Sequence, residues 1–129
     1  MLRDLRSDYT YGSLSEQDAD PNPFRLLERW LAEAIQTHLY EPHGMTLSTV
    51  GANGRPSSRV VLLRGLDEQG LVFFSNYLSR KGQELEANPW ACLNFWWPPM
   101  ERQVRIEGRV EKTEPELSDD YFASRPYDS

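Results

Sequence analysis

The sequence predicts a small antiparallel barrel, mainly β, with a few peripheral helices. Three observations carry this. Short β-forming runs recur between residues 45 and 113. They are joined by turn residues rather than long crossovers. Four Trp, six Tyr and five Phe supply bulk for one apolar core. A chain of 129 residues fits a single domain. At that length roughly two-thirds of the unfolded surface is buried, enough for a core without disulfides.

The elements follow in order. Residues 1–20 are polar, with Tyr9, Tyr11 and Leu14 the main apolar content, and read as an N-terminal arm ahead of a domain at 21–129. Asn22-Pro23 reads as a cap followed by proline at the first helical position. Phe24, Leu27, Leu31, Ala34, Ile35 and Leu39 then recur at helical spacing, predicting a helix over 23–39. Met45–Val50 alternates as a strand. Gly51-Ala52-Asn53-Gly54 is a hairpin signal, and Arg55–Leu66 is the return strand. Within it Val60–Leu63 reads as buried on both faces, and Pro56 is tolerable only at an edge or bulge. Asp67–Gly70 turns the chain into a third strand, Leu71–Asn76.

Ser79 is placed to cap a helix over about 80–87, stopped by Asn88-Pro89. Trp90–Trp97 and Gln103–Thr113 are the last two of five strands. In the latter, Val104, Ile106 and Val110 face one way and Arg105, Glu107 and Arg109 the other. Thr113 and Glu116 form a capping box that predicts a third helix over about 114–123, carrying Leu117, Tyr121 and Phe122.

Composition narrows the function classes. The longest purely apolar run, Val60–Leu63, is far short of a membrane span. The charged start at Arg3, Asp4 and Arg6 does not resemble a signal peptide. One cysteine, Cys92, points to a reducing compartment, hence the cytoplasm. With only His38 and His43 beside it, a metal site is not expected. A pI near 4.9 argues against a general nucleic-acid binder. Yet residues 54–112 carry nine Lys/Arg against seven Asp/Glu, while the remainder carries five against thirteen. A basic middle in an acidic chain fits a small anionic ligand, and equally fits ordinary scatter of surface charge.

Three features bear on chemistry. In Ser79-Arg80-Lys81, two cations stand at a helix N-terminus, which itself favours anions; a phosphate would offset them. The bland alternative is two solvated side chains. In Arg59-Val60-Val61-Leu62-Leu63-Arg64, strand period puts the two arginines on opposite faces, so they serve different parts of a ligand or are ordinary strand ends. Gln103, at a loop-to-strand junction, can donate and accept hydrogen bonds or simply start an exposed strand. Phe95, Trp96 and Trp97 suit a heterocycle wall, a core or a subunit interface. Neither a dinucleotide-binding glycine motif nor a P-loop is present, and no nucleophile–His–acid arrangement can be drawn.

Taken together, Arg59–Arg64, Phe73-Phe74-Ser75-Asn76, Ser79-Arg80-Lys81, Asn88-Pro89, Glu101-Arg102-Gln103-Val104 and Tyr121-Phe122-x-Ser124-Arg125-Pro126 resemble the pyridoxine/pyridoxamine 5′-phosphate oxidase family. The likeness runs from about Leu5 to Ser129. It implies an FMN-binding split β-barrel, antiparallel and Greek-key-like, with FMN at a homodimer interface. By resemblance, Arg59, Arg80 and Lys81 hold the FMN phosphate region. Val60, Val61, Leu62, Leu63, Arg64, Phe74 and Ser75 line the cofactor, partly with backbone groups, and Gln103 reaches it from the other subunit. Arg64, Tyr121, Arg125 and Ser129 contact the pyridoxal phosphate moiety, and Arg6 and Tyr9 of the arm close over it. The implied reaction oxidises pyridoxine or pyridoxamine 5′-phosphate to pyridoxal 5′-phosphate, with hydride passing from C4′ to flavin N5 and O₂ as the acceptor. Two departures stand out. Arg64 replaces a lysine common in the family, a planar fork for a point charge. The family's C-terminal strands, with a flavin-side Trp and an Arg-x-His pair, have no counterpart in residues 1–129, so an exposed apolar edge is expected. The alternative functions are a non-catalytic FMN- or pyridoxal-phosphate-binding module (or an inactive fragment of the oxidase) and a cofactor-free dimeric domain.

Overall fold

A computed structural model of the chain describes residues 2–5, 20–74, 80–112 and 121–126. The predicted arm therefore lies mostly outside the described residues; Leu2–Asp4 form one exposed 3₁₀ turn. Helix α1 spans Pro23–Gln36, and its Asn22 cap accepts a hydrogen bond from Phe24 N at 3.0 Å. It stops short of the predicted residue 39 because His38 enters the left-handed region at φ 57°. Leu27 and Ala34 are buried as the spacing predicts, but Ile35 is 56% exposed. Trp30 packs on the core in its place, under the Arg102 guanidinium at 4.5 Å, and Arg102 pairs with Glu33.

Six strands follow: β1 (Gly44–Val50), β2 (Pro56–Asp67), β3 (Gly70–Phe74), β4 (Trp90–Trp97), β5 (Arg102–Lys112) and β6 (Tyr121–Pro126). They close in the order β1-β2-β3-β6-β5-β4, all antiparallel. The fourth strand returns beside the first, which is the Greek-key order. Helix α2 (Arg80–Ala87) makes the crossing from β3 to β4. No helix among the described residues is long and apolar enough to cross a membrane.

The β1–β2 hairpin forms at the Asn53-Gly54 signal. Gly54 takes φ 80°, and Asn53 Oδ1 accepts from Arg55 N at 3.0 Å. Pro56 opens β2, where its missing N–H costs least. Inward positions build the core: Met45 and Leu47, Val61 and Leu63, Leu71 and Phe73, Leu93, Phe95 and Trp97. Val104 and Ile106 pack against it and Val110 is buried in it, as the alternation of β5 predicts.

Three expectations need correction. Val60–Leu63 is not buried on both faces. Val60 is 68% exposed and Leu62 half-buried, because this sheet has the barrel interior on one side only. The helix predicted over 114–123 is not supported at its end. Tyr121–Pro126 is a strand, paired with β3 on one side and β5 on the other, and residues 113–120 lie outside the described residues. A helix there would leave two strand edges without backbone partners. The same strand fills the edge that was expected to stand open, so the described strands number six and the ring is closed. The third strand ends at Phe74; Ser75 and Asn76 are outside the described residues.

Candidate cofactor site

Strand alternation divides the predicted site. Arg59, Val61 and Leu63 face inward on β2, while Val60 and Arg64 face outward. Val61 and Leu63 are core side chains, so any ligand contact from them must be through the backbone.

Arg59 stands at the polar end of the barrel interior. Its Nη1 donates to Thr49 Oγ1 at 2.7 Å and to Leu47 O at 3.3 Å, and its Nη2 donates to Ser57 Oγ at 2.6 Å. Glu84 of α2 reaches into the same cluster. Its Oε2 accepts from Thr49 Oγ1 at 2.5 Å and Ser57 Oγ at 2.7 Å, and lies 3.6 Å from Arg59 Nη2. Hairpin register explains the convergence: Thr49 pairs with Ser57 and Leu47 with Arg59. Arg59 keeps about a fifth of its side chain in solvent. An open cleft of about 370 Å³ adjoins the cluster, walled by Gly51, Ala52 and Asn53 of the hairpin loop and by Gln83, Glu84 and Ala87 of α2.

Helix α2 begins at Arg80-Lys81, as predicted, with no acidic residue in its first turn. Arg80 precedes Glu84 by four residues, about 6 Å of helix axis. The Glu84 anchor thus holds the cationic N-terminus of α2 close to Arg59. Thr49, Ser57 and Glu84 were not singled out in the sequence. The available signal was a hydroxyl, Thr49, on the inward face of a strand that otherwise presents Met45 and Leu47.

The outer face holds a second group. Arg64 is the extra residue where β2 bulges against β3, between the pairs Leu63–Phe73 and Gly65–Val72. Bulges re-aim side chains, and here the Arg64 guanidinium lies over the Phe74 ring at 5.1 Å. Tyr121 pairs with Phe74 in register, so the backbone brings Arg64, Phe74 and Tyr121 together. Arg125 is four residues further along β6, about 13 Å at strand rise, and pairs with Arg109. Arg6, Tyr9, Ser75 and Ser129 lie outside the described residues.

Gln103 is not beside Arg59. Its Nε2 donates to Asn94 Oδ1 at 3.0 Å, and it borders a groove of about 240 Å³ against Pro23, Leu26 and Trp30 of α1. Val60, Thr46, Asn94 and Arg105 form one cross-strand row. Three ladder spacings, about 14 Å, therefore separate β2 from the strand that carries Gln103. The outer surface from β2 across to β5 is partly apolar: Val60 and Trp96 are each more than half exposed. Of the aromatic trio, Phe95 and Trp97 are core. Beside Gln103 on this face, the Glu107 carboxylate bonded to Arg105 raises that guanidinium's pKa further.

Comparison with known proteins decides the family. The family model described as pyridoxamine 5′-phosphate oxidase matches residues 31–129. The chain belongs to the pyridoxamine 5′-phosphate oxidase family. It is 60% identical over 128 residues to a Burkholderia multivorans protein named pyridoxine/pyridoxamine 5′-phosphate oxidase, covering 99% of this chain and 60% of the relative. It thus spans about 60% of the length of the curated relatives it matches. Among solved structures, PhzG from Burkholderia lata 383, in complex with tetrahydrophenazine-1-carboxylic acid, superposes with a TM-score of 0.78 at 33% identity, covering 85% of this chain and 55% of that one. A pyridoxamine 5′-phosphate oxidase-related, FMN-binding protein from Nostoc punctiforme superposes at 0.61 with 26% identity, covering 71% and 50%. The expected split-barrel fold and family are both borne out.

Proposed function

We propose that this chain binds FMN as a homodimer and oxidises pyridoxine or pyridoxamine 5′-phosphate to pyridoxal 5′-phosphate, with O₂ as the acceptor. The observation that carries the reading is Arg59. A guanidinium held inside a barrel end, still open to water and close to the cationic start of α2, is a donor set that fits a phosphate monoester. Family membership supplies the reaction class. Bound FMN would supply hydride acceptance, and the protein's part is orientation and charge.

Arg59, Arg80 and Lys81 neutralise the cofactor phosphate, and Ser75 lines the flavin together with Phe74. The outward side of Val60–Leu63 and the Phe74 ring form an apolar support for a planar ring system. Arg64, stacked on Phe74, and Tyr121, beside it in register, stand where a second phosphate or a pyridine ring can be met. Arg125, Ser129, Arg6 and Tyr9 complete the substrate set. Gln103 acts on the cofactor of the opposite subunit, a role supported by its distance from Arg59 within one chain.

The test is a flavin spectrum of the purified chain, followed by oxygen uptake with pyridoxamine 5′-phosphate. Flavin absorbance with substrate-dependent uptake is the expected result. Flavin without uptake leaves a binding module, and absence of flavin binding defeats the reading. The dimer is tested separately. Val60→Asp places a charge in the exposed apolar face and should weaken dimerisation by about 100-fold or more, since an unpaired charge buried in an interface costs several kcal/mol. Sedimentation at micromolar protein reads the change. A variant that stays dimeric removes this face from the interface.

A further inference from the structure

We infer that Glu84 is a positioning residue for the phosphate seat: its carboxylate fixes the Arg59 fork and docks α2, so that the cations of β2 and α2 meet one anion. The inference rests on the phosphate-seat reading above.

An acidic residue beside a phosphate site needs a physical reason. Glu84 is 8% exposed and Thr49 1%. A carboxylate so placed needs compensation, and it has two hydroxyl donors and a guanidinium on the same oxygen. Thr49 is the hinge of the arrangement, since its hydroxyl accepts from Arg59 and donates to Glu84. Three of the five N–H donors of Arg59 are then directed to Leu47, Thr49 and Ser57, which sets the plane of the fork. The carboxylate is therefore held from β1 by Thr49, from β2 by Ser57 and Arg59, and by its own helix. Leu85, the next residue, is buried in the core and anchors α2 independently. Loss of the Glu84 charge should therefore disturb the aim of Arg59 and the seating of α2 more than the existence of the helix.

The readout is the ratio of FMN to riboflavin affinity, because the two ligands differ by the phosphate alone. Flavin-free protein is titrated with each, following flavin fluorescence. Glu84→Ala should weaken FMN by at least tenfold and leave riboflavin within twofold. Glu84→Gln, whose amide oxygen still accepts from Thr49 and Ser57, should retain part of the FMN preference. Equal losses for both ligands would mean a merely structural role and overturn the inference. Unchanged affinities overturn it too, as does tighter FMN binding, which would make Glu84 a competitor of the phosphate. If Glu84→Ala does not fold, Glu84→Gln and Thr49→Val carry the same comparison. Ligand-free protein separates this from the parent reading. The Nη resonances of Arg59 should be visible in the wild type, where hydrogen bonds slow their exchange, and lost in Glu84→Ala. Wild-type protein that binds neither flavin defeats the phosphate seat, and the Arg59 resonances then decide the positioning by themselves; resonances that persist in Glu84→Ala overturn it.

Discussion

Replacing Arg80 and Lys81 together by alanine should weaken FMN binding by two to three orders of magnitude while leaving folding stability unchanged or slightly higher. The opposite signs come from one cause. A helix N-terminus repels cations by about 0.3–1 kcal/mol each, and α2 carries two of them with no acid in its first turn. Without an anion they strain the helix; with one they become charge-assisted contacts worth about 1.5–3 kcal/mol each. The double variant removes both effects. Urea unfolding without flavin reads the first and an FMN titration reads the second, with riboflavin as the control. Added salt should erode wild-type FMN binding more than that of the variant. An FMN affinity equal to wild type would remove Arg80 and Lys81 from the site. Arg59 would behave differently, because its removal takes a guanidinium from beside the buried Glu84 carboxylate and so lowers stability as well.

Local signals were legible where local physics decides. Helix α2 matches its predicted span, because Asn88-Pro89 cannot continue a helix. The inside–outside sorting of β2 and β5 was legible for the same kind of reason, since a pleat has a period of two. What was not legible depends on partners far away in the chain. Tyr121-Phe122 sits at helical spacing from Leu117, and nothing local says that β3 and β5 both lack a neighbour there. The Glu84–Thr49 bond joins residues 35 apart and is invisible to any window along the chain. Arg64 was expected on the face opposite Arg59, and it is, but the bulge that aims it over Phe74 follows from register rather than composition. The resemblance named Arg59 as a phosphate ligand; the structure adds the buried carboxylate that stands beside it.

Phe73→Ala should cost about 3–5 kcal/mol of folding stability, and Phe74→Ala less than about 1 kcal/mol. The two phenylalanines are adjacent and chemically identical, so the difference is entirely one of placement. Phe73 points into the barrel, fully buried, and its register partners are Leu63 on β2 and Phe122 on β6. Its removal opens a cavity in the barrel core that a closed ring of strands cannot collapse to fill. A marginally stable domain has only about 5–15 kcal/mol in total, so the variant should sit near the edge of unfolding at 37 °C. Phe74 points outward and is 40% exposed beneath Arg64. It loses a cation–π contact worth about 0.5–1 kcal/mol at an exposed site, and little packing. Its loss should instead appear in flavin or substrate affinity. Both variants are compared by urea denaturation at one fixed protein concentration, since any subunit association would shift the midpoint. Equal costs at the two positions would show that the strand does not sort its side chains as described. The inward face of β2, and with it the Arg59 cluster, would then have to be redrawn.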